Sequence, residues 1–74
     1  MPTPLSKLKR KVSGKIAAIE SEFVLAKLME LGVMPGVKFV IQNKAPFKGP
    51  LAILVNGTKL IIRRDEAKFI LVEV

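Results

Sequence analysis

The side chains of this sequence that could hold a metal ion are its six Asp and Glu residues, because it has no His and no Cys. Glu20 and Glu22 could converge on an ion with Asp65 or Glu66, and such a site of oxygen ligands would favour a hard, weakly held cation. The spacing does not require this arrangement, since Glu22 and Asp65 also suit the first turns of helices. We therefore predict no metal site and no cofactor.

The sequence contains equally few candidates for catalytic residues. Without His or Cys, the common general bases and nucleophile pairs are absent, and no serine lies in a recognisable catalytic pattern. Neither phosphate-binding glycine motif, Gly-x-x-x-x-Gly-Lys-Ser/Thr or Gly-x-Gly-x-x-Gly, occurs in the chain. The sequence thus predicts a protein that is not an enzyme.

The charge balance points instead to binding. Thirteen Lys and Arg residues oppose six acidic ones, which gives a net charge of +7. The excess is concentrated near the start of the chain and again near its end, at Lys7, Lys9, Arg10, Lys11, Lys15, Arg63 and Arg64. Such a distribution suits nucleic acid, an anionic membrane surface or an acidic protein partner, although a solvated lysine face is the commoner meaning.

Nucleic acid is the less favoured of these partners. Proteins that bind single strands stack bases on aromatic rings, and this chain has four Phe and neither Trp nor Tyr. Alternation along the predicted strands assigns Phe39 and Phe69 to the core. We expect no nucleic acid partner, and a basic nucleic-acid-binding module remains the alternative of a different class.

Two large apolar residues stand in predicted turns that do not require them. Phe47 lies in the loop Ala45-Pro46-Phe47-Lys48-Gly49-Pro50, where it could equally cover the core or project as a binding anchor. Met34 poses the same choice, with the core slightly favoured because Met fills irregular gaps. Half of the residues are hydrophobic, and such an excess in a small chain indicates an apolar surface for a partner.

A single α-helix is predicted from Glu22 to Leu31, with Ser21 as its N-cap and Gly32 as its stop. The apolar residues of this helix recur at helical spacing, which indicates one face packed on a sheet. The residues predicted to face inward are Val24, Leu25, Leu28, Met29 and Leu31.

Turn residues divide the remaining sequence into strands. Met34 to Val37 has the residues of a type II turn, with Pro35 at the second position and Gly36 at the third. Asn56-Gly57 between two β-rich runs predicts a tight hairpin. A short helical turn is expected at residues 5–8, a loose end at residues 1–4, and one helical turn at residues 64–67. The predicted strands are residues 13–19, 37–42, 51–55, 58–62 and 69–74.

These elements predict one domain over residues 1–74, mainly β, built as a small, partly open SH3-like barrel. It has about five strands, one α-helix between the first two strands and a short helical turn before the last. The longest apolar run, Leu51 to Val55, is far shorter than a membrane span, and charges follow the first residues where a signal peptide is apolar. We expect a cytoplasmic protein. Its oligomeric state is left open, although an exposed final strand could pair with a second copy.

The order of motifs resembles the FeoA family of the bacterial ferrous iron uptake system. The stretches that carry this resemblance are "PLSKLK", "SGKIAAI", "LMELGVMPG", "APFKGP" and "LIIRRDEAKFILVEV", which together cover nearly the whole chain. Their shared order and spacing are more specific than any one of them.

The resemblance implies an SH3-like barrel without catalytic activity that modulates the FeoB ferrous iron transporter by protein contact. Domains similar to FeoA also occur in iron- and manganese-dependent repressors, so a metal-sensing domain is a second alternative. From exposure and charge we predict that the surface binding the partner consists of Lys9, Arg10, Met34, Pro35, Phe47 and Lys48. Any association with the membrane would then occur through the partner only.

Overall fold

The computed structural model describes residues 2–74, and its elements follow the predicted order. The strands are β1 (Thr3–Pro4), β2 (Ser13–Ile19), β3 (Lys38–Lys44), β4 (Leu51–Val55), β5 (Thr58–Ile62) and β6 (Ile70–Glu73). The helices are a 3-10 turn at Leu5–Lys7, α1 (Glu22–Glu30) between β2 and β3, and α2 (Arg64–Ala67) before β6. None of these described helices is long and apolar enough to span a membrane.

The six strands form one antiparallel sheet in the order β1-β6-β2-β3-β4-β5, which does not close on itself. The β2–β6 register shifts between Ile16 and Ala18, and the β3–β4 register shifts between Ile41 and Asn43. Bulges of this kind bend strands and increase their twist, so they curve the sheet around a core. The predicted partly open, SH3-like and mainly β fold is confirmed, with six strands instead of five.

The extra strand corrects the prediction of a loose first end and answers whether the last strand is exposed. Thr3 and Pro4 pair with Val72 and Leu71, so these residues are not loose; Met1 lies outside the described residues. Strand β6 is consequently flanked by β1 on one side and β2 on the other. The final strand is therefore not an exposed edge, so the pairing with a second copy that the sequence left open is not available through β6.

Helix α1 begins as predicted, because the Ser21 Oγ accepts a hydrogen bond from the Val24 N–H at 3.3 Å. Val24 and Leu28 are buried, but Met29 and Leu31 are about half exposed, which contradicts their assignment to the packed face. The physical reason is the reversal of the chain just after the helix. Val33 donates its N–H to the Leu28 carbonyl at 2.9 Å and is itself completely buried.

The core lies inside the curved sheet, with α1 and the 3-10 turn covering it. Its buried members are Leu5, Leu8, Ile16, Val24, Leu28, Val33, Phe39, Ile41, Leu51, Ile53, Val55, Ile62, Ala67, Ile70 and Val72. Phe39 is confirmed as a core residue. Phe69 is not: it precedes β6, its carbonyl accepts the Glu20 N–H at 2.8 Å, and its ring is 36% exposed beside the Lys68 ammonium.

Gly14 lies on β2 close to the backbone at the end of β6. A Cβ atom at this position would overlap the backbone carbonyl oxygen of Glu73 and approach the Val74 side chain. Glycine is required here because there is no room for a side chain. Its backbone conformation does not require glycine, since the φ angle of Gly14 is not positive. The close approach fixes β2 and β6 side by side.

Candidate interaction surface

The loop between β3 and β4 presents Phe47 at its tip. The loop is closed by two backbone hydrogen bonds, from the Ala45 N–H to the Pro50 carbonyl at 3.0 Å and from the Gly49 N–H to the Pro46 carbonyl at 3.1 Å. Phe47 and Lys48 both adopt left-handed backbone angles, with φ of 58° and 60°. The Phe47 side chain is 99% exposed, so it projects from the barrel and does not cover it.

Two cationic side chains hold this loop against the rest of the protein. The Arg64 Nε donates to the Gly49 carbonyl at 3.2 Å, which links the loop to α2. At the base of the loop, the Lys44 Nζ donates to the carbonyls of Leu8 at 2.7 Å and Ser6 at 3.3 Å. Burial and the nearby Arg64 charge lower the pKa of Lys44 below its usual value. Phe47 is thus carried on a supported loop.

The basic turn at Lys9 and Arg10 lies at the same end of the sheet. Both side chains are exposed. The turn is attached to β3 by the hydrogen bond from the Lys11 N–H to the Ile41 carbonyl at 2.7 Å. Because Lys44 bonds the segment just before this turn, Lys9 and Arg10 belong with the Phe47 loop. We call Lys9, Arg10, Phe47 and Lys48 the loop-end surface.

Met34 and Pro35 lie elsewhere. Their turn is type II as predicted, with Gly36 at φ 95° and the Val37 N–H bonded to the Met34 carbonyl at 3.1 Å. The Gly36 N–H also bonds the Ile16 carbonyl at 2.7 Å, which attaches the turn to β2. Met34 is 43% exposed and so does not fill the core.

This turn precedes the first residue of β3, whereas the Phe47 loop follows its last. The seven residues from Lys38 to Lys44 span about 20 Å at the usual strand rise. The six residues predicted to bind a partner therefore form two separate patches. Four of them share the loop-end surface, and Met34 and Pro35 mark the opposite end of β3.

The structure adds a feature that the sequence analysis missed, an open groove of about 770 Å³ between the Phe47 loop and α2. We call it the basic groove. The residues that line it are Ser6, Lys48, Pro50, Arg63, Arg64, Asp65 and Lys68. The basic pair Arg63-Arg64 is visible in the sequence, but nothing local places it beside a loop some fifteen residues earlier. Lys48 belongs to both the loop-end surface and the groove.

A second groove, of about 490 Å³, lies on the outer face of the sheet, where Val40 and Leu54 face each other across β3 and β4. Lys15 and Lys38 flank it. Val40 is 38% exposed, so the open sheet leaves part of this apolar face in contact with solvent.

The carboxylates considered as metal ligands are used in other ways. Glu66 forms an ion pair with the Lys27 Nζ at 2.7 Å and accepts the Arg63 N–H at 3.3 Å, which caps α2. Asp65 lies 4.0 Å from the Arg63 Nε. Across residues 2–74, no three acidic side chains come together in a group that could hold a metal ion.

Several solved structures share this fold. The chain is 36% identical to the FeoA-like protein from Clostridium acetobutylicum, with a TM-score of 0.89 over 99% of this chain and 86% of that one. It is 33% identical to the FeoA protein from Chlorobium tepidum, with a TM-score of 0.89 over 97% of this chain and 70% of that one.

The fold also matches part of two longer chains. The T. acidophilum IdeR is 27% identical, with a TM-score of 0.85 over 99% of this chain but 34% of that one. A manganese-dependent transcriptional repressor, at 15% identity, shares the fold alone. No curated protein sequence matches this chain significantly. The family model of the FeoA domain matches residues 3–74, and the chain therefore belongs to the FeoA domain family.

Proposed function

We propose that this protein is a non-catalytic, cytoplasmic accessory protein of bacterial ferrous iron uptake that modulates a FeoB-type transporter by direct contact. Membership of the FeoA domain family supports the role in iron uptake. Two similar proteins carry descriptions that agree with it, an iron uptake regulatory protein (FeoA) and the iron(II) transport protein A from Clostridium thermocellum. The protein reaches the membrane through this partner only.

The observation that carries the proposal is the exposure of Phe47. A phenylalanine that is 99% exposed at the tip of a supported loop gives no stability to the folded chain. Burying such a side chain at an interface contributes about 1.5–3 kcal/mol. Lys48 follows it directly, and the exposed Lys9 and Arg10 add positive charge at the same end of the sheet, which suits an acidic partner and speeds its association. The loop-end surface therefore has the apolar anchor and the charged rim of a contact site.

The test is binding of the purified chain to the cytoplasmic part of a FeoB-type transporter, measured by titration calorimetry. Phe47→Ala should weaken this binding by tenfold or more, because interface aromatics often contribute above about 1.4 kcal/mol. Phe23→Ala is the matched control, since Phe23 is also exposed, at 76%, but lies on α1. Met34→Ala asks separately whether the opposite end of β3 takes part.

The controls decide how a result is interpreted. Phe47→Ala should leave the unfolding transition unchanged, because the side chain packs against nothing. Unchanged affinity with an intact fold would remove Phe47 from the contact site. A loss in Phe23→Ala or Met34→Ala alone would move the contact to α1 or to the Met34 turn.

A second function is favoured by the similarity to T. acidophilum IdeR, which extends over 99% of this chain. On this alternative the protein is a metal-sensing domain. A titration with ferrous or manganous ion, followed by NMR, distinguishes the two. Saturable shifts centred on Glu20, Glu22, Asp65 or Glu66 would favour the sensor, and their absence together with transporter binding would favour the accessory protein.

A further inference from the structure

We propose that the basic groove binds a short acidic peptide segment of the partner in an extended conformation, beside the Phe47 anchor. The groove is separate from the residues predicted from sequence, except for Lys48, and its second wall comes from α2. The identity of the partner rests on the function proposed above, whereas the class of ligand follows from the groove itself.

The positive charge of the groove is not neutralised by the groove's own residues. Arg63, Arg64, Lys68 and Lys48 line it together with a single carboxylate, Asp65. The Arg63 Nε and the Asp65 Oδ1 are 4.0 Å apart, and both side chains are more than 70% exposed, so solvent screens this pair strongly. Cations left unpaired around one depression attract an anionic ligand.

Arg64 differs from the other cations of the groove because it is hydrogen-bonded within the fold. Its Nε is already bonded to the Gly49 carbonyl, which holds the two walls of the groove together. Behind it, Lys44 has a lowered pKa, caused first by burial and then by the charge of Arg64. An anion bound in the groove would offset that repulsion. The structure therefore provides a fixed cationic base with two more exposed cations, Arg63 and Lys68, at the rim.

The size and lining of the groove favour a peptide over a nucleic acid. A volume of about 770 Å³ falls within the range of pockets that hold small or short ligands. Asp65 can accept a hydrogen bond from the backbone N–H of an extended peptide, a donor that phosphodiester groups lack. Strand binding uses several aromatic faces, and none of the described residues that line the groove is aromatic. Pro50 in the groove wall suits an apolar side chain between acidic ones.

The direct test uses a fluorescein-labelled peptide in which glutamates flank a leucine, with fluorescence anisotropy as the readout. Arg63→Glu and Lys68→Glu should each weaken binding about tenfold, and added salt should weaken wild-type binding as well. Lys15→Glu is the matched control, because it makes the same change in net charge on β2, outside the groove. Arg63→Gln and Lys68→Gln provide milder variants should a reversal disturb the fold, which circular dichroism would reveal.

The outcomes separate this inference from the proposed function. Loss of peptide binding in the two groove variants, with Lys15→Glu unaffected, supports the groove. Equal losses in all three variants would show that only net charge matters and would overturn it. Tighter binding of an RNA oligonucleotide, with the same dependence on Arg63 and Lys68, would also overturn the peptide class.

The same variants are then tested against the cytoplasmic part of the transporter. If it binds wild type, Arg63→Glu and Lys68→Glu equally well, the groove is not the contact and only the proposed function survives. If the peptide binds through the groove while the transporter does not bind at all, the proposed function fails and the groove stands.

Discussion

Leu28 and Leu31 offer a direct test of how α1 packs. Both belong to the apolar face predicted from the sequence, but Leu28 is 2% exposed and Leu31 is 52% exposed. Truncating a buried leucine to alanine costs about 2–5 kcal/mol through lost burial and the cavity left behind. A domain of this length has a total stability of about 4–11 kcal/mol, so Leu28→Ala should remove a large part of it.

Leu31→Ala makes the same chemical change about one turn later, at a position that is about half exposed. Because about half of the Leu31 surface is covered, we expect a cost of about 1 kcal/mol, well below the cost at Leu28. Urea unfolding followed by circular dichroism would measure the free energy of unfolding of both variants. The slope of this free energy against urea concentration should be equal in the two. Similar losses of unfolding free energy in Leu28→Ala and Leu31→Ala would refute this packing. They would instead support the wider packed face of α1 that the sequence predicts.

Two further predictions concern β2 and β3. Gly14→Ala should destabilise the fold by about 1–3 kcal/mol, because its Cβ would overlap the Glu73 carbonyl, whereas Ser13→Ala on the same strand should have little effect in the same unfolding assay. In the folded protein the pKa of Lys44 lies below its usual value of 10.5. Between these two pKa values the unfolded chain binds more protons than the folded chain. The free energy of unfolding should therefore rise as pH rises through this interval. Lys44→Arg, which does not titrate there, should lack this contribution; equal pH dependences in the two proteins would contradict the assignment.

Elements with strong local signals could be predicted from the sequence almost to the residue. The Asn56-Gly57 hairpin joins strands with the predicted bounds, because the turn type and the strand register follow from those two residues. The start of α1 depends on Ser21 and a hydrogen bond to a residue three positions later. In both cases the determining contacts lie within a few residues of each other.

Features that depend on distant contacts could not be predicted in the same way. The pairing of Thr3 and Pro4 with β6 joins the two ends of the chain. Phe69 has the alternation of a strand residue, but its carbonyl is bonded to Glu20 and the ring stays near the surface. The basic groove lies between segments that are distant in sequence and that the Arg64–Gly49 hydrogen bond joins across the fold. Periodicity carries no information about such pairings.

The backbone of the Phe47 loop strengthens the case that its exposure serves binding. A left-handed conformation costs a residue with a side chain about 1–2 kcal/mol, and Phe47 and Lys48 adopt it one after the other. Glycine at position 47 would remove that cost, and a domain this small has little stability to spare. The chain instead places a large apolar ring there, supported by the hydrogen bonds of Ala45 and Arg64. Glycine would relieve this strain, and the Phe47 side chain stabilises nothing inside the fold. The strained position of Phe47 therefore points to a role in binding.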